Sequence, residues 1–207
     1  MIEQLVASAC QALSGATVDW RCEPHEDHQR IYFGNHTSHL DFVVIWAALP
    51  AHVRLHVRPV AGHDYWSQGI LRRYLAADVF RAVLIERAHG GASNGEAAAR
   101  ASIERIAIDM GDRDSIIVFP EGTRSLDGTL GPFKSGLYHL SQAKPDAELI
   151  PVHLDNLNRI LPKGESLPVP MLSRVTFGKP LRSAVNEPKE HFLARARSAV
   201  LRLAPRN

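Results

Sequence analysis

Two spacings of apolar residues alternate along the chain, and that alternation sets the first expectation about its architecture. Near the amino end Ile2, Leu5, Val6, Ala9 and Leu13 fall three or four apart, so residues 2–14 read as a short amphipathic helix. Compact runs rich in branched and aromatic residues follow at 30–33, 55–61, 79–85, 115–119, 149–154 and 174–177, and each reads as a strand. Helical patterns lie between them at 39–48, 66–76, 94–110 and 135–143, with a last one at 188–204. In the 94–110 stretch Asn94 is placed to cap, alanines fill the first turns and Gly111 ends the helix. Strands separated by helices predict an α/β fold, a single domain whose mixed, largely parallel central sheet is covered by helices on both faces. Its parts are an N-terminal helix at 1–17, a core at 18–187 and a C-terminal helix at 188–207.

Composition removes whole classes. With 45% apolar and 22% charged residues the chain is globular rather than disordered or fibrous. Its 24 basic against 22 acidic side chains leave a net charge of +2, too small a field to gather nucleic acid. Two cysteines, Cys10 and Cys22, cannot build a disulfide scaffold or a four-thiolate zinc site. The longest unbroken apolar run, 42–49, has eight residues, where a spanning helix needs ~20. The first residues carry no basic n-region, so neither a signal peptide nor a transmembrane helix is expected. Eleven histidines are the one surplus, and they raise the question of metal or proton chemistry.

The first chemical signal is Asn35-His36-Thr37-Ser38-His39-Leu40-Asp41, between an apolar strand and an apolar helix. Reacting groups in α/β proteins gather at such strand-to-helix turns. If His36 lies in the turn and Asp41 in the first helical turns, the carboxylate can fix one imidazole tautomer and leave the other nitrogen as a general base. The same spacing also fits a capping box from Ser38 to Asp41, and a metal site on His36, His39 and Asp41 is open too, though none of the standard zinc spacings fits. Spacing leaves all three open.

The second signal is Phe119-Pro120-Glu121-Gly122-Thr123-Arg124-Ser125, directly after the strand at 115–119. Pro and Gly set a sharp turn, on which Arg124 and the Thr123 and Ser125 hydroxyls could converge on a phosphate. Lys134, at the start of the next helix, would add to the same positive field. The other reading is a surface turn whose arginine pairs with Glu121. A nucleotide-binding P-loop at 128–135 is excluded, because Phe133 stands where the glycine before the lysine is needed.

Together these blocks resemble the glycerolipid acyltransferase family, which contains the 1-acylglycerol-3-phosphate acyltransferases. Asn35, His36, Ser38 and Asp41 match its first block, and Phe119 to Ser125 match its third at every position. Leu84, Ile85, Glu86 and Arg87 match the second, with Glu where Asp is commoner, and Ile150, Pro151 and Val152 match the fourth. The four blocks stand in order across residues 35–152, 118 of the 207. The resemblance implies that His36, oriented by Asp41, deprotonates an acceptor hydroxyl as it attacks an acyl thioester. Acyl-CoA or acyl carrier protein would be the co-substrate, with no metal and no other cofactor. It implies that Arg87, Glu121, Gly122, Thr123, Arg124 and Lys134 bind or frame the phosphate of a glycerol-phosphate or lysophospholipid acceptor, most simply 1-acylglycerol-3-phosphate. An acyl channel would be needed, and Phe42, Trp46, Tyr65 and Trp66 are its candidates. Many relatives carry long hydrophobic N-terminal segments. Here the expectation is a cytoplasmic protein with peripheral contact at the inner face of the cytoplasmic membrane. The first helix is read as docked on the body, and the last one, with its basic residues, first as a solvated charged face and second as a membrane-surface helix.

Two other readings remain from sequence. One keeps the fold as a non-catalytic acyl-lipid or acyl-carrier-binding module. The other is a metal-dependent hydrolase on His36, His39 and Asp41.

Overall fold

The most apolar segment becomes the middle of the sheet. The computed structural model describes residues 2–38, 40–86, 92–125, 127–156, 173–182 and 186–205. In it Arg30–Gly34 forms strand β2, buried at every residue, after the short β1 at Thr17–Trp20. The later strands are β3 (Val57–Gly62), β4 (Val83–Ile85), β5 (Ser115–Val118), β6 (Glu148–Asp155) and β7 (Arg174–Phe177). They make one seven-stranded sheet in the order β1-β7-β6-β2-β5-β3-β4. Among these strands the β6–β7 pairing is antiparallel and every other pairing is parallel, and a lone antiparallel bridge joins Leu149 to Leu181. A strand with neighbours on both edges and helices on both faces has no side for water, which is why β2 reads as a run.

The helices are α1 (Ile2–Ser14), α2 (Asp41–Ala48), α3 (Ala51–Arg54), α4 (His63–Trp66), α5 (Ile70–Tyr74), α6 (Ala92–Met110), α7 (Gly136–Ala143) and α8 (Lys189–Leu201). Alternate strand residues serve opposite layers, as the period of two requires. Tyr32, Ile117 and Ile150 pack with Phe42, Ile45 and Trp46 of α2. Ile31, Phe33, Ile116 and Leu149 pack with Ile106 of α6, Leu137 and Leu140 of α7, and Phe192 of α8. Both faces are thus covered, and no described helix is long and apolar enough to cross a membrane.

Both terminal helices lie against this body. α1 buries Ala7 and ties to α2 through Gln11 Nε2, which donates to the Ala47 carbonyl at 2.7 Å. The apolar stripe of α8, Phe192, Ala196 and Val200, is buried in the core, and Leu203 just beyond the helix is buried with it, so this stripe is spent on the body of the protein.

Other expectations shift locally. β1 has no sequence signal, because it is a four-residue edge strand with three exposed residues. It is held by stacking of Trp20 on Phe177, with ring centroids 3.9 Å apart. The expected strand at 79–85 is cut to its last three residues, because Leu75–Val79 forms a π turn. The expected helix at 66–76 is broken around Gly69, whose φ of 77° ends α4 and starts α5. α6 begins at Ala92, so Asn94 lies inside it rather than at its cap.

Gly34 closes β2 where the site begins. A Cβ there would stand 2.8 Å from the Val152 carbonyl oxygen on β6. Gly34→Ala is expected to lower the unfolding free energy by about 1–3 kcal/mol, because backbone rather than a side chain must move. Denaturant melts of the two proteins check this.

Candidate active site

The parallel strands β2, β5 and β3 are neighbours, and their carboxyl ends open on one side of the sheet. Groups that follow these strands are brought together there. His36 lies two residues beyond β2, Phe119 to Arg124 follow β5, and Tyr65 and Trp66 follow β3 on α4.

His36 and Asp41 meet. His36 Nδ1 lies 2.8 Å from Asp41 Oδ2, and the same oxygen accepts the backbone N–H of Thr37 at 2.6 Å and of Ser38 at 2.9 Å. Asp41 is 0% exposed. An oxygen already taking two N–H donors acts as an acceptor, so Nδ1 carries the ring proton and Nε2 is the basic nitrogen. The ring stacks on Phe119 with centroids 4.3 Å apart and planes 14° from parallel, and its edge lines a cavity. The pair of the dyad reading is present, whereas the full capping box is not: Leu40, not Ser38, precedes the helix, and only the Asp41 carboxylate's bond to the Ser38 N–H is made. Asp41 opens α2 and reaches back to the preceding N–H groups, while Ser38 Oγ accepts from the Leu40 N–H at 3.2 Å. His39, the third member of the metal reading, lies outside the described residues. Among the described residues no cluster of three or more His, Cys, Asp or Glu could hold a metal.

Glu121 has a different task from the one expected. Its Oε1 accepts the His36 backbone N–H at 2.7 Å, and its Oε2 accepts the Gly131 N–H at 2.8 Å. At 6% exposure it is buried, joining the two motif loops rather than facing a ligand or Arg124. The turn that carries it has Pro120 and Glu121 at its centre, closed by the Gly122 N–H donating to the Phe119 carbonyl at 3.0 Å. Gly122 has a φ of 69°, and a Cβ there would lie 2.9 Å from Lys134 Nζ. The positive φ is what favours glycine here, since the lysine end that a Cβ would meet is flexible.

Gly122, Arg124 and Lys134 line the same cavity as His36. Among the described residues no carboxylate pairs with either cation, so both are available to an anion. Thr123 is exposed and does not line the cavity. Ser125 Oγ donates instead to Asp127 Oδ1 at 2.8 Å, which also takes the N–H and hydroxyl of Thr129. These bonds hold the Asp127 carboxyl down at about 2 and staple the loop. Arg87 lies outside the described residues.

The cavity has a volume of about 250 Å³. Phe42, Tyr65 and Trp66 line it as the channel expectation required, but Trp46 does not. Trp46 is buried against Phe80 in the core, because it lies one turn further along α2 and faces the sheet. The far wall was missed: Ile103 and Ile106 of α6, and Leu137 and Leu140 of α7. Each pair has a helical i,i+3 spacing, a pattern shared with any core face, so spacing alone could not mark it. Also missed was Arg197 on α8, whose guanidinium donates to the carbonyls of Leu130 and Gly131 and braces the loop that Glu121 holds. Neither cysteine lines the cavity. Burial pushes the Cys10 thiol up to about 12 and raises that of Cys22, so both are poor nucleophiles near neutrality.

The carboxyl ends of the strands thus bring together a histidine–carboxylate pair, two cations without a carboxylate partner among the described residues, and a largely apolar cavity. The chain belongs to the acyltransferase family: the family model described as Acyltransferase matches residues 19–155, 137 of 207. It is 34% identical over 130 residues to a 1-acyl-sn-glycerol-3-phosphate acyltransferase of Limnanthes alba, covering 62% of this chain and 42% of that one. With the protein of the same name in Limnanthes douglasii it is 36% identical over 118 residues, covering 56% and 38%. The chain therefore spans about two fifths of the length of these relatives. Its fold matches the crystal structure of the 1-acyl-sn-glycerophosphate acyltransferase PlsC from Thermotoga maritima with a TM-score of 0.72. That match is 21% identical and covers 97% of this chain and 76% of the other.

Glu121→Gln retains the shape but replaces one acceptor oxygen with an N–H donor facing a backbone N–H. It is expected to destabilise the fold by about 1–3 kcal/mol, the range for a buried donor left unsatisfied. Thermal melts of the variant test this, and Glu121→Asp, too short to span both loops, is expected not to restore stability.

Proposed function

We propose that the chain is an O-acyltransferase that moves a fatty acyl group from a thioester to a hydroxyl of a glycerol-phosphate-type acceptor, 1-acylglycerol-3-phosphate being the acceptor we favour. The observation that carries this reading is the His36–Asp41 pair opening on one cavity with Arg124 and Lys134. The names of the relatives support the acceptor, and the apolar walls suit an acyl chain.

In this mechanism the acceptor's phosphate binds the Arg124 fork and the Lys134 ammonium, whose charge-assisted donors suit its oxygens. That contact brings the neighbouring hydroxyl to His36 Nε2. The hydroxyl proton passes to Nε2 as the oxygen attacks the thioester carbonyl, and Asp41 stabilises the imidazolium that forms. Collapse of the tetrahedral intermediate breaks the C–S bond, and the departing thiolate takes the proton back from Nε2. Thioester and alcohol supply every atom, so we propose no metal and no cofactor beyond acyl-CoA or acyl carrier protein as co-substrate. The proposal places the chain in the cytoplasm, at the inner face of the membrane.

The test is purified protein with labelled acyl-CoA or acyl carrier protein and a panel of glycerol-phosphate and lysophospholipid acceptors. Thiol release is expected only when an acceptor with a phosphate is present. His36→Ala, folded by circular dichroism, is expected to lose activity by about a hundredfold or more. Arg124→Gln is expected to raise the acceptor KM about tenfold while leaving the donor KM unchanged. Full turnover by His36→Ala would remove the mechanism, and bound acyl chains with no transfer to any acceptor would favour a binding module instead.

A further inference from the structure

Between the cavity wall and the core the chain makes an excursion that the acyl-transfer chemistry does not use. Trp66 lines the cavity at the start of this excursion, and Phe80 ends it by packing against Trp66, with ring centroids 6.1 Å apart. Between these roots Gly69 turns the chain outward with a φ of 77°, and the π turn Leu75–Val79 brings it back to bury Ala76 and Val79. At the apex α5 buries none of its five residues. Ile70 is 81% exposed, Leu71 69% and Tyr74 40%, a concentration of apolar surface that a soluble loop has no reason to carry.

Charge says what covers it. From Tyr65 to Ala77 the only charged side chains are Arg72 and Arg73, both exposed, with Asp64 and Asp78 flanking the stretch. The Arg72 guanidinium lies over the Tyr65 ring, 4.2 Å from its centroid, so the basic apex and the cavity wall are one surface. Aliphatic tips with interleaved arginines suit an anionic lipid surface, where the tips enter the acyl boundary and the guanidinium groups meet phosphates. A short amphipathic apex needs no long helix for this. The buried stripe of α8 is not available for the same purpose.

We propose that Ile70, Leu71 and Tyr74, with Arg72 and Arg73, dock the protein on an anionic phospholipid surface and set the Tyr65–Trp66 lip of the cavity against it. The inference rests on the reading of the cavity as the site for an amphiphilic acceptor. Docking at the lip lets such an acceptor slide from the lipid layer into the cavity without crossing water.

The experiment is co-sedimentation of the full chain with vesicles of phosphatidylcholine, with and without phosphatidylglycerol. Binding to the anionic vesicles is expected. Ile70→Ser/Leu71→Ser is expected to weaken it about tenfold or more, since two exposed aliphatic side chains lose their burial. Arg72→Gln/Arg73→Gln is expected to weaken it about fivefold per arginine and to remove the preference for phosphatidylglycerol. Unchanged sedimentation of the Ile70→Ser/Leu71→Ser protein overturns the proposal, as does a parent chain that does not sediment. So does a parent dimer on gel filtration that this variant dissolves, since the patch would then cover a second copy. Turnover on water-soluble glycerol 3-phosphate with a short acyl-CoA keeps the two readings apart. If the parent transfers nothing yet docks through the patch, only the acyltransferase reading falls. If transfer proceeds and the variant still sediments fully, only the docking falls.

Discussion

One buried oxygen holds the site together. Asp41 Oδ2 takes the His36 ring N–H and the backbone N–H groups of Thr37 and Ser38, in a position with no exposure to water. Burying a carboxylate costs several kcal/mol after relaxation, and each hydrogen bond to a charged acceptor returns about 1.5–3 kcal/mol. Three such bonds offset the penalty only while all three are made. The turn, the ring orientation and the first residue of α2 are therefore coupled: none can move without exposing the cost of the charge.

A second carboxylate repeats the logic one step out. Glu121 holds not the ring but the backbone that carries it, with its other oxygen on the Gly131 loop. Arg197 of α8 fixes the carbonyls of that same loop. A chain of contacts thus runs from the last helix through the loop preceding Lys134 to the histidine. Phe119 adds the remaining restraint by stacking on the imidazole. Arg124 and Lys134, without carboxylate partners among the described residues, stand beside this rigid frame, which is what preorganised binding of a phosphate needs.

The two kinds of group in the cavity come from different parts of the fold. Polar groups arrive on the turns after β2 and β5, where backbone is already constrained by the sheet. Apolar groups arrive from α2, α4, α6 and α7 and from the ends of β3, β4 and β5. That division explains how much was legible beforehand. His36, Asp41 and Arg124 stand in short local motifs, so their chemistry and spacing announce them. Ile103, Ile106, Leu137 and Leu140 carry only a helical stripe, which is identical for a cavity wall and for ordinary core. Trp46 shows the converse. It shares a helix face with Phe42 and both pack on Phe80 in the core, but only Phe42, one turn nearer the start of α2, also reaches the cavity.

The sequence by itself determined the alternation of strands and helices and the two motif loops, because each rests on patterns among residues near in the chain. It also determined that histidine and aspartate five residues apart across a strand-to-helix turn could meet. The tertiary structure alone decided that Glu121 faces backbone rather than ligand, that α8 buries its apolar stripe, and that α5 leaves its own exposed. Those outcomes depend on which surfaces distant segments present to one another. A carboxylate 85 residues from its partner, or a helix stripe whose cover lies on a strand far away in sequence, has no local signature. Only the packed sheet brings the two sides together and settles which group each one meets.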